Sequence, residues 1–229
     1  VIAGSVQNLT IQLHKGEILG VGGLSDCGMH DVGKVLFGLL KPETGEVLKD
    51  QKEPVKSASW AVRHGIGYVS KNRDQESLML ISSIADNICL PSLKDLTPFG
   101  PISDRKQKQL AEKWSERMEV KADSVKVFCN TLSGGNKQKV VLAKWLGKGS
   151  DIMILDCPTR GIDVGTKAAI YQLIMQMKEE GKSILLISEE LQELIGMSDR
   201  IVLLRDGAVS GEFLRNEGLT EAKLIQKMI

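Results

Sequence analysis

Ser133, Gly134 and Gly135 stand directly before a run that carries Val140, Val141, Ala143 and Leu146 at helical spacing. A serine and two glycines opening a helix make a candidate anion site. Exposed amides at a helix N-terminus favour phosphate oxygens, and glycines let a phosphate approach the backbone. A plain loop and cap would use the same three residues, so the triplet alone decides nothing. The whole string LSGGNKQKVVLAKWL is far more specific, and it runs on to an apolar stretch, Ile152 to Leu155, closed by Asp156. The four cysteines, Cys27, Cys89, Cys129 and Cys157, are scattered. None forms a C-x-x-C pair and no histidine stands beside one at zinc-ligand spacing, which reads as reduced thiols in the cytosol. Cys157 as a catalytic nucleophile lacks a histidine nearby in sequence to activate it.

The elements that must position these residues follow from the alternation of apolar runs with helix-period segments. That alternation implies an α/β layer architecture with a largely parallel sheet. Glu17 to Gly22 (EILGVG) reads as a buried strand, followed by a glycine-containing turn and a helix from about His30 to Leu40. Ile66 to Ser70 and Ile152 to Leu155 read as strands, Val164 to Glu180 as a helix capped by Gly181, and Ser183 to Ile187 as another buried strand. Asp206-Gly207 between apolar runs signals a terminal hairpin, Arg200 to Arg205 with Ala208 to Phe213. Thr220 to Met228 reads as the last helix. Residues 82–149 differ in character. A charged helix, Asp104 to Glu119, is capped by Ser103 or Asp104 and places Leu110, Trp114 and Met118 on one face, as in a helical subdomain inserted between strands.

A chain of 229 residues can bury a sizeable core. Thirty basic against 29 acidic side chains give a net charge of +1, which offers no electrostatic case for nucleic acid. Aromatics at 4% argue against base-stacking platforms. No apolar run approaches the roughly 20 residues that span a bilayer. The N-terminal VIAGSVQNLT lacks the basic start and apolar stretch of a secretory signal, and its abrupt opening gives the expectation of a segment cut from a longer protein.

LSGGNKQK (Leu132 to Lys139) resembles the signature of ABC-type ATP-binding cassettes, and IMILDCPTRGIDVG resembles their Walker B strand running into the D-loop. The resemblance covers essentially the whole chain. HKGEILGVGGLSDCG stands where the first strand and phosphate loop belong, IGYVSKNRD at the Q-loop, and LLISEELQELIGMSDRIVLLRDG at the switch region. PTRGIDVG, and asparagine after the signature glycines, are most similar to the C-terminal cassette of double-cassette subunits in bacterial monosaccharide importers. The resemblance implies one nucleotide-binding domain over 1–229. Its P-loop core would occupy about 1–81 and 150–229, with an antiparallel β edge, and the helical subdomain about 82–149.

It also implies what should stand at each chemical position, and this sequence departs repeatedly. A phosphate loop of the form G-x-x-x-x-G-K-[ST] fits two frames. Gly28 to Val35 supplies Gly33-Lys34 but ends on valine; Gly23 to His30 supplies the glycines but offers Met29 and His30 for lysine and hydroxyl. The loop must follow the EILGVG strand directly, and in the family a glycine lies about nine residues beyond the lysine position. Gly38 meets that spacing from Met29, whereas Glu43 would stand there from Lys34, so the loop is Gly23 to His30 and its lysine is missing. Asp156 matches the Walker B aspartate that would hold Mg2+ through water. Cys157 stands where the family has a glutamate that orients the attacking water. A free thiol, with its ordinary pKa of about 8.5, is a poor general base. The Q-loop position holds Lys71, which reads as a solvated surface lysine. The switch histidine position holds Glu189, which would repel a γ-phosphate. His30 reads as a helix-start residue, and Asp163 is retained at the D-loop.

The expectation is a cassette with no intact catalytic set, degenerate at Met29, Lys71, Cys157 and Glu189. Gly23, Ser25, Gly28 and His30 would form a weakened phosphate cradle, and Asp156 a residual Mg2+ ligand. Ser133, Gly134, Gly135, Asn136 and Asp163 would serve ATP in a partner cassette, either the N-terminal half of the same chain or a second subunit. The further partners would be membrane permease subunits, contacted through about Lys71 to Asn87, and indirectly a sugar-binding protein, at the cytoplasmic face of the membrane. A fully competent ATPase half of an importer for another small solute is the alternative. An ABC protein acting on nucleic acid is disfavoured by the neutral charge and the lack of a coiled-coil insertion.

Overall fold

An apolar run without polar alternation is a strand covered on both faces, and three such runs build the centre of this molecule. The computed structural model describes residues 1–97, 102–215 and 218–229. In chain order the elements are β1 (Ile18–Gly23), α1 (Met29–Phe37), β2 (Leu48–Lys49), β3 (Glu53–Pro54), α2 (Ala58–Arg63), β4 (Ile66–Val69), α3 (Ile84–Cys89), α4 (Leu93–Leu96), α5 (Asp104–Arg117) and α6 (Gly134–Gly147). There follow β5 (Ile152–Asp156), α7 (Val164–Glu179), β6 (Ser183–Ile187), α8 (Leu191–Met197), β7 (Arg200–Arg205), β8 (Ala208–Leu214) and α9 (Glu221–Met228). None of the described helices is long and apolar enough to cross a membrane.

The chain forms two compact units: Val1–Tyr68 with Asp151–Cys157 and Tyr171–Ile229, and Val69–Ser150 with Pro158–Ile170. The first unit holds a sheet of order β4-β5-β6-β1-β7-β8. β5 pairs parallel to β6, β6 to β1 and β1 to β7, while β8 closes one edge antiparallel to β7. Asp206 and Gly207, at φ 50° and 79°, make the tight turn between those last strands. β2 and β3 form a separate two-stranded ribbon that sequence patterning does not reveal, because its residues are largely exposed and do not alternate. Ile18, Leu19, Met153, Leu155 and Ile184 to Ile187 are at or near zero exposure.

Ion pairs gather at the amino ends of the strands. Arg200 opens β7 and donates to Glu17 at 2.7 Å, to Glu212 at 2.7 Å and to the Gln12 carbonyl at 2.5 Å. The two glutamates, Glu17 foremost, raise the pKa of its guanidinium. Asp199 accepts from the Ile18 amide at 2.9 Å and from Lys178.

The second unit is helical, with α3, α5 and α6 packed against one another. α6 is buried almost all round, from Val140 to Leu146, as a helix at the centre of a unit must be. α5 buries Ala111 and Ser115, with Leu110 and Trp114 half-buried beside them. It ends at Arg117, two residues short of the expectation, because Glu119 takes φ 50°.

Within this apolar packing Lys144 is 5% exposed and donates to the Ser77 carbonyl. Burial brings its pKa from 10.5 down to about 8. A lysine whose folded pKa lies below its unfolded value leaves the unfolded chain with more bound proton between about pH 8 and 10.5. Stability attributable to this group therefore rises across that window. In urea unfolding, the wild-type chain should gain roughly 2 kcal/mol on the Lys144→Met variant between about pH 7.5 and 10. A pH-independent difference would contradict this.

Candidate functional site

Parallel strands present their carboxyl ends to one edge of a sheet, and ligands bind there. Because β5, β6 and β1 are neighbours, their carboxyl ends bring three segments side by side: Asp156-Cys157, Ser188-Glu189, and the loop from Leu24 to Gly28. Gly28 sits at φ 89°, and a side-chain carbon there would stand 2.8 Å from the Ser5 carbonyl oxygen, so only glycine fits. Gly23 has the same constraint without the positive φ: a Cβ would lie 2.5 Å from the Leu204 carbonyl oxygen. The alternative frame, Gly28 to Val35, falls within α1. Its Gly33 faces Ile187, Tyr68 and Ile154, and its Lys34 lies 3.4 Å from Asp31.

His30, on the first turn of α1, places Nδ1 2.7 Å from Asp156 Oδ1 and Nε2 3.3 Å from Glu189 Oε1. It is a helix-start residue, and the fold also brings it into this cluster. Asp156 is 1% exposed, and its Oδ2 accepts from the Tyr68 hydroxyl at 3.3 Å. Cys157 is buried and held at φ 48°, a left-handed conformation that costs a non-glycine residue about 1 kcal/mol. Its amide donates to the Ile187 carbonyl at 2.9 Å. Met29 is fully buried, while Ser25 is exposed on the loop. Sequence reasoning misses Tyr68 because it lies 88 residues from Asp156, and no local spacing signals the contact.

The other expected residues lie in the helical unit. Ser133 is the N-cap of α6; its Oγ accepts from the Asn136 amide at 3.4 Å and from the Asn136 side chain at 3.1 Å. Asn136 Oδ1 accepts in turn from the Lys121 amide at 2.9 Å. A Cβ on Gly135 would meet Thr166 Cγ2 at 2.7 Å, and one on Gly134 would meet the Gly161 carbonyl at 3.2 Å and Arg73 Nη2 at 3.5 Å. Asp163 accepts from the Thr166 amide at 2.9 Å and hydroxyl at 2.7 Å, and the Thr166 bonds hold its carboxyl below the usual range. The spacing of Asp163 and Thr166 at a helix start is a readable capping pattern. Arg73 and Lys137 lie close by: Arg73 reaches Gln138 at 3.4 Å, and Lys137 pairs with Asp74 at 2.7 Å. Lys71, in the same unit, is half-buried.

A phosphate loop after β1, a buried aspartate closing β5 and a serine-capped glycine pair opening α6 occur together in cassette ATPases, and the ABC transporter family model matches residues 6–160. The chain belongs to the ABC transporter family. Among curated proteins the cassette is 40% identical over 219 residues to the ribose import ATP-binding protein RbsA of Bacillus licheniformis, covering 95% of this chain and 44% of that protein. It is 39% identical over 221 residues to RbsA of Bacillus subtilis, covering 96% and 45%. The cassette thus spans less than half the length of these relatives. A dimeric, post-hydrolysis ATP-binding cassette bound to ADP and Pi shares its fold, with a TM-score of 0.80 and 24% identity over 93% of this chain and 91% of that one. A nucleotide-free cassette from an ABC transporter aligns with a TM-score of 0.78 and 18% identity over 98% and 92%.

ATP and Mg2+ are the ligands such a family implies. The loop's glycines pack against the chain's own backbone, and α1 begins at its end, where exposed amides favour phosphate. The side chains do not fit the rest. GLSDCGMH supplies an aspartate and no lysine or arginine. Asp156 has an imidazole and a thiol beside it, where Mg2+ prefers oxygen ligands. A thiol follows Asp156 in place of a carboxylate.

Proposed function

We propose that the chain is the C-terminal nucleotide-binding cassette of an ATP-driven importer for ribose or a similar monosaccharide. In this reading its signature residues close an ATP site built on a partner cassette, and its own site is weak or inert. The observation that carries the reading is the contrast between the two clusters. Ser133, Gly134, Gly135 and Asn136 form a helix N-terminus in which the Ser133 hydroxyl and the Asn136 side chain are both hydrogen-bonded. Around the phosphate loop, Met29, Cys157 and Glu189 replace the groups that clamp phosphate and orient water. Each such loss costs a few kcal/mol of transition-state stabilisation.

Relatives about twice the length of this chain accord with one cassette of a pair. On this reading the chain is one nucleotide-binding domain with a helical subdomain at about 82–149, peripheral at the cytoplasmic face of the membrane. Permease docking finds support in the helical unit, where Met79, Ile81 and Phe128 are 38%, 82% and 53% exposed. Backbone bonds from Asn130 to Leu80 and from Cys129 to Ser82 hold those residues together, and an exposed apolar patch marks an interaction surface. A sugar-binding protein would act through the permease, not on this chain.

Steady-state ATP hydrolysis is the test. The 229-residue chain alone should release phosphate at background, while the double-cassette subunit turns over. Robust Mg-ATP turnover by the chain alone, abolished by Asp156→Asn, would sink the reading.

A further inference from the structure

The fold gathers three different metal-ligating groups at the carboxyl edge of the sheet. His30, Asp156 and Cys157 offer one nitrogen, one oxygen and one sulfur, all within 4.8 Å of one another. We propose that this triad is a binding site for a borderline-soft divalent cation of the zinc class. The proposal goes beyond the import reading and does not depend on it.

Ligand chemistry selects the ion. Mg2+ takes oxygen ligands and keeps its waters, whereas thiolate with imidazole and carboxylate suits zinc. Bonds of about 2.0 to 2.3 Å place tetrahedral ligand atoms roughly 3.3 to 3.7 Å apart. His30 Nδ1 and Asp156 Oδ1, now 2.7 Å apart in a hydrogen bond, need to part by roughly 0.6 to 1 Å to admit the ion, and a pair at the 4.8 Å limit would close by about 1 Å. Cys157 is fixed in place: it is 8% exposed, with its backbone held at φ 48° and bonded to Ile187.

The outer contacts are those a metal site uses. A ligating histidine donates its second ring N–H to a carboxylate, which sets the tautomer. Here His30 Nε2 lies 3.3 Å from Glu189 Oε1. The Tyr68 hydroxyl orients Asp156 from its other oxygen. On binding, His30 exchanges its Asp156 hydrogen bond for a bond from Nδ1 to the metal, and its ring proton sits on Nε2 toward Glu189. The Cys157 thiol loses its proton to solvent as the sulfur–metal bond forms, and water takes the fourth position.

Titration of the 229-residue chain with Co2+ tests this. One equivalent should bind with a sulfur-to-cobalt charge-transfer absorption, be displaced by Zn2+ and be unmoved by excess Mg2+. Cys157→Ser should lose that absorption and weaken Zn2+ binding by at least about tenfold, and Glu189→Gln should weaken it about tenfold while keeping the absorption. Zn2+ should also raise the Tm of the unaltered chain, a readout that needs no variant to fold. The site is refuted by the lack of a saturable charge-transfer band, by a band that persists in Cys157→Ser, or by an unmoved Tm. None of these readouts involves ATP turnover, so failure here and failure of the signature reading are told apart.

Discussion

Ser133→Arg, placed in the double-cassette subunit, is expected to lower steady-state ATP turnover by at least about a hundredfold. On the proposed reading the substituted half supplies no phosphate clamp of its own, so an effect of this size would arise at a site the signature serves in trans. Ser133 is exposed. Its Oγ is the acceptor that caps α6. Arginine has no acceptor, and losing the cap costs the helix about 1 kcal/mol, too little to unfold a cassette. The long cation would stand over the amides of Gly134 and Gly135, where a γ-phosphate has to approach. Ser133→Thr keeps an acceptor and should keep most of the activity. Phosphate release measured on the purified subunit checks both variants, and full turnover by Ser133→Arg would refute the trans role.

A second large effect is structural. Leu155→Ala should destabilise the chain by roughly 3 to 4 kcal/mol in urea unfolding, through lost burial and the cavity left behind. Leu155 has no exposed surface and stands in register with Leu186 in the middle of the parallel strands. Val209→Ala on the antiparallel edge removes a side chain that is 41% exposed and should cost under about 1 kcal/mol. Equal effects at the two positions would mean that the sheet centre is not where stability resides.

What the sequence discloses about this fold follows the physics of each element. β1, β5 and β6 are legible because strands covered on both faces must be apolar throughout. The β7–β8 hairpin is legible because Asp-Gly between apolar runs favours a turn with two positive φ values in succession, and Asp206-Gly207 takes them. α1 falls short of the expected Leu40 because Gly38, at φ 78°, stops it after Phe37. The insertion reads from Ser82, whereas the helical unit begins at Val69 and takes in Pro158–Ile170; apolar patterning does not report which unit a connecting turn packs with. The site is harder still. Cys157 has no histidine near it in sequence, yet His30 lies against the adjacent Asp156 across 126 residues. That contact is created by strand order, and strand order is a property of the sheet rather than of any local segment.

The sheet also has two ends with separate duties. Arg200, Glu17, Glu212, Asp199 and Lys178 tie it together where the strands begin, and the chemistry is assembled where they finish. None of those five ion-pairing residues stands at the finishing end. On the proposed reading, methionine for lysine and cysteine for glutamate are changes there that leave those pairs untouched. If both proposals hold, this edge is a place where one function is lost, and a different ligand set acquired, while the architecture stands still.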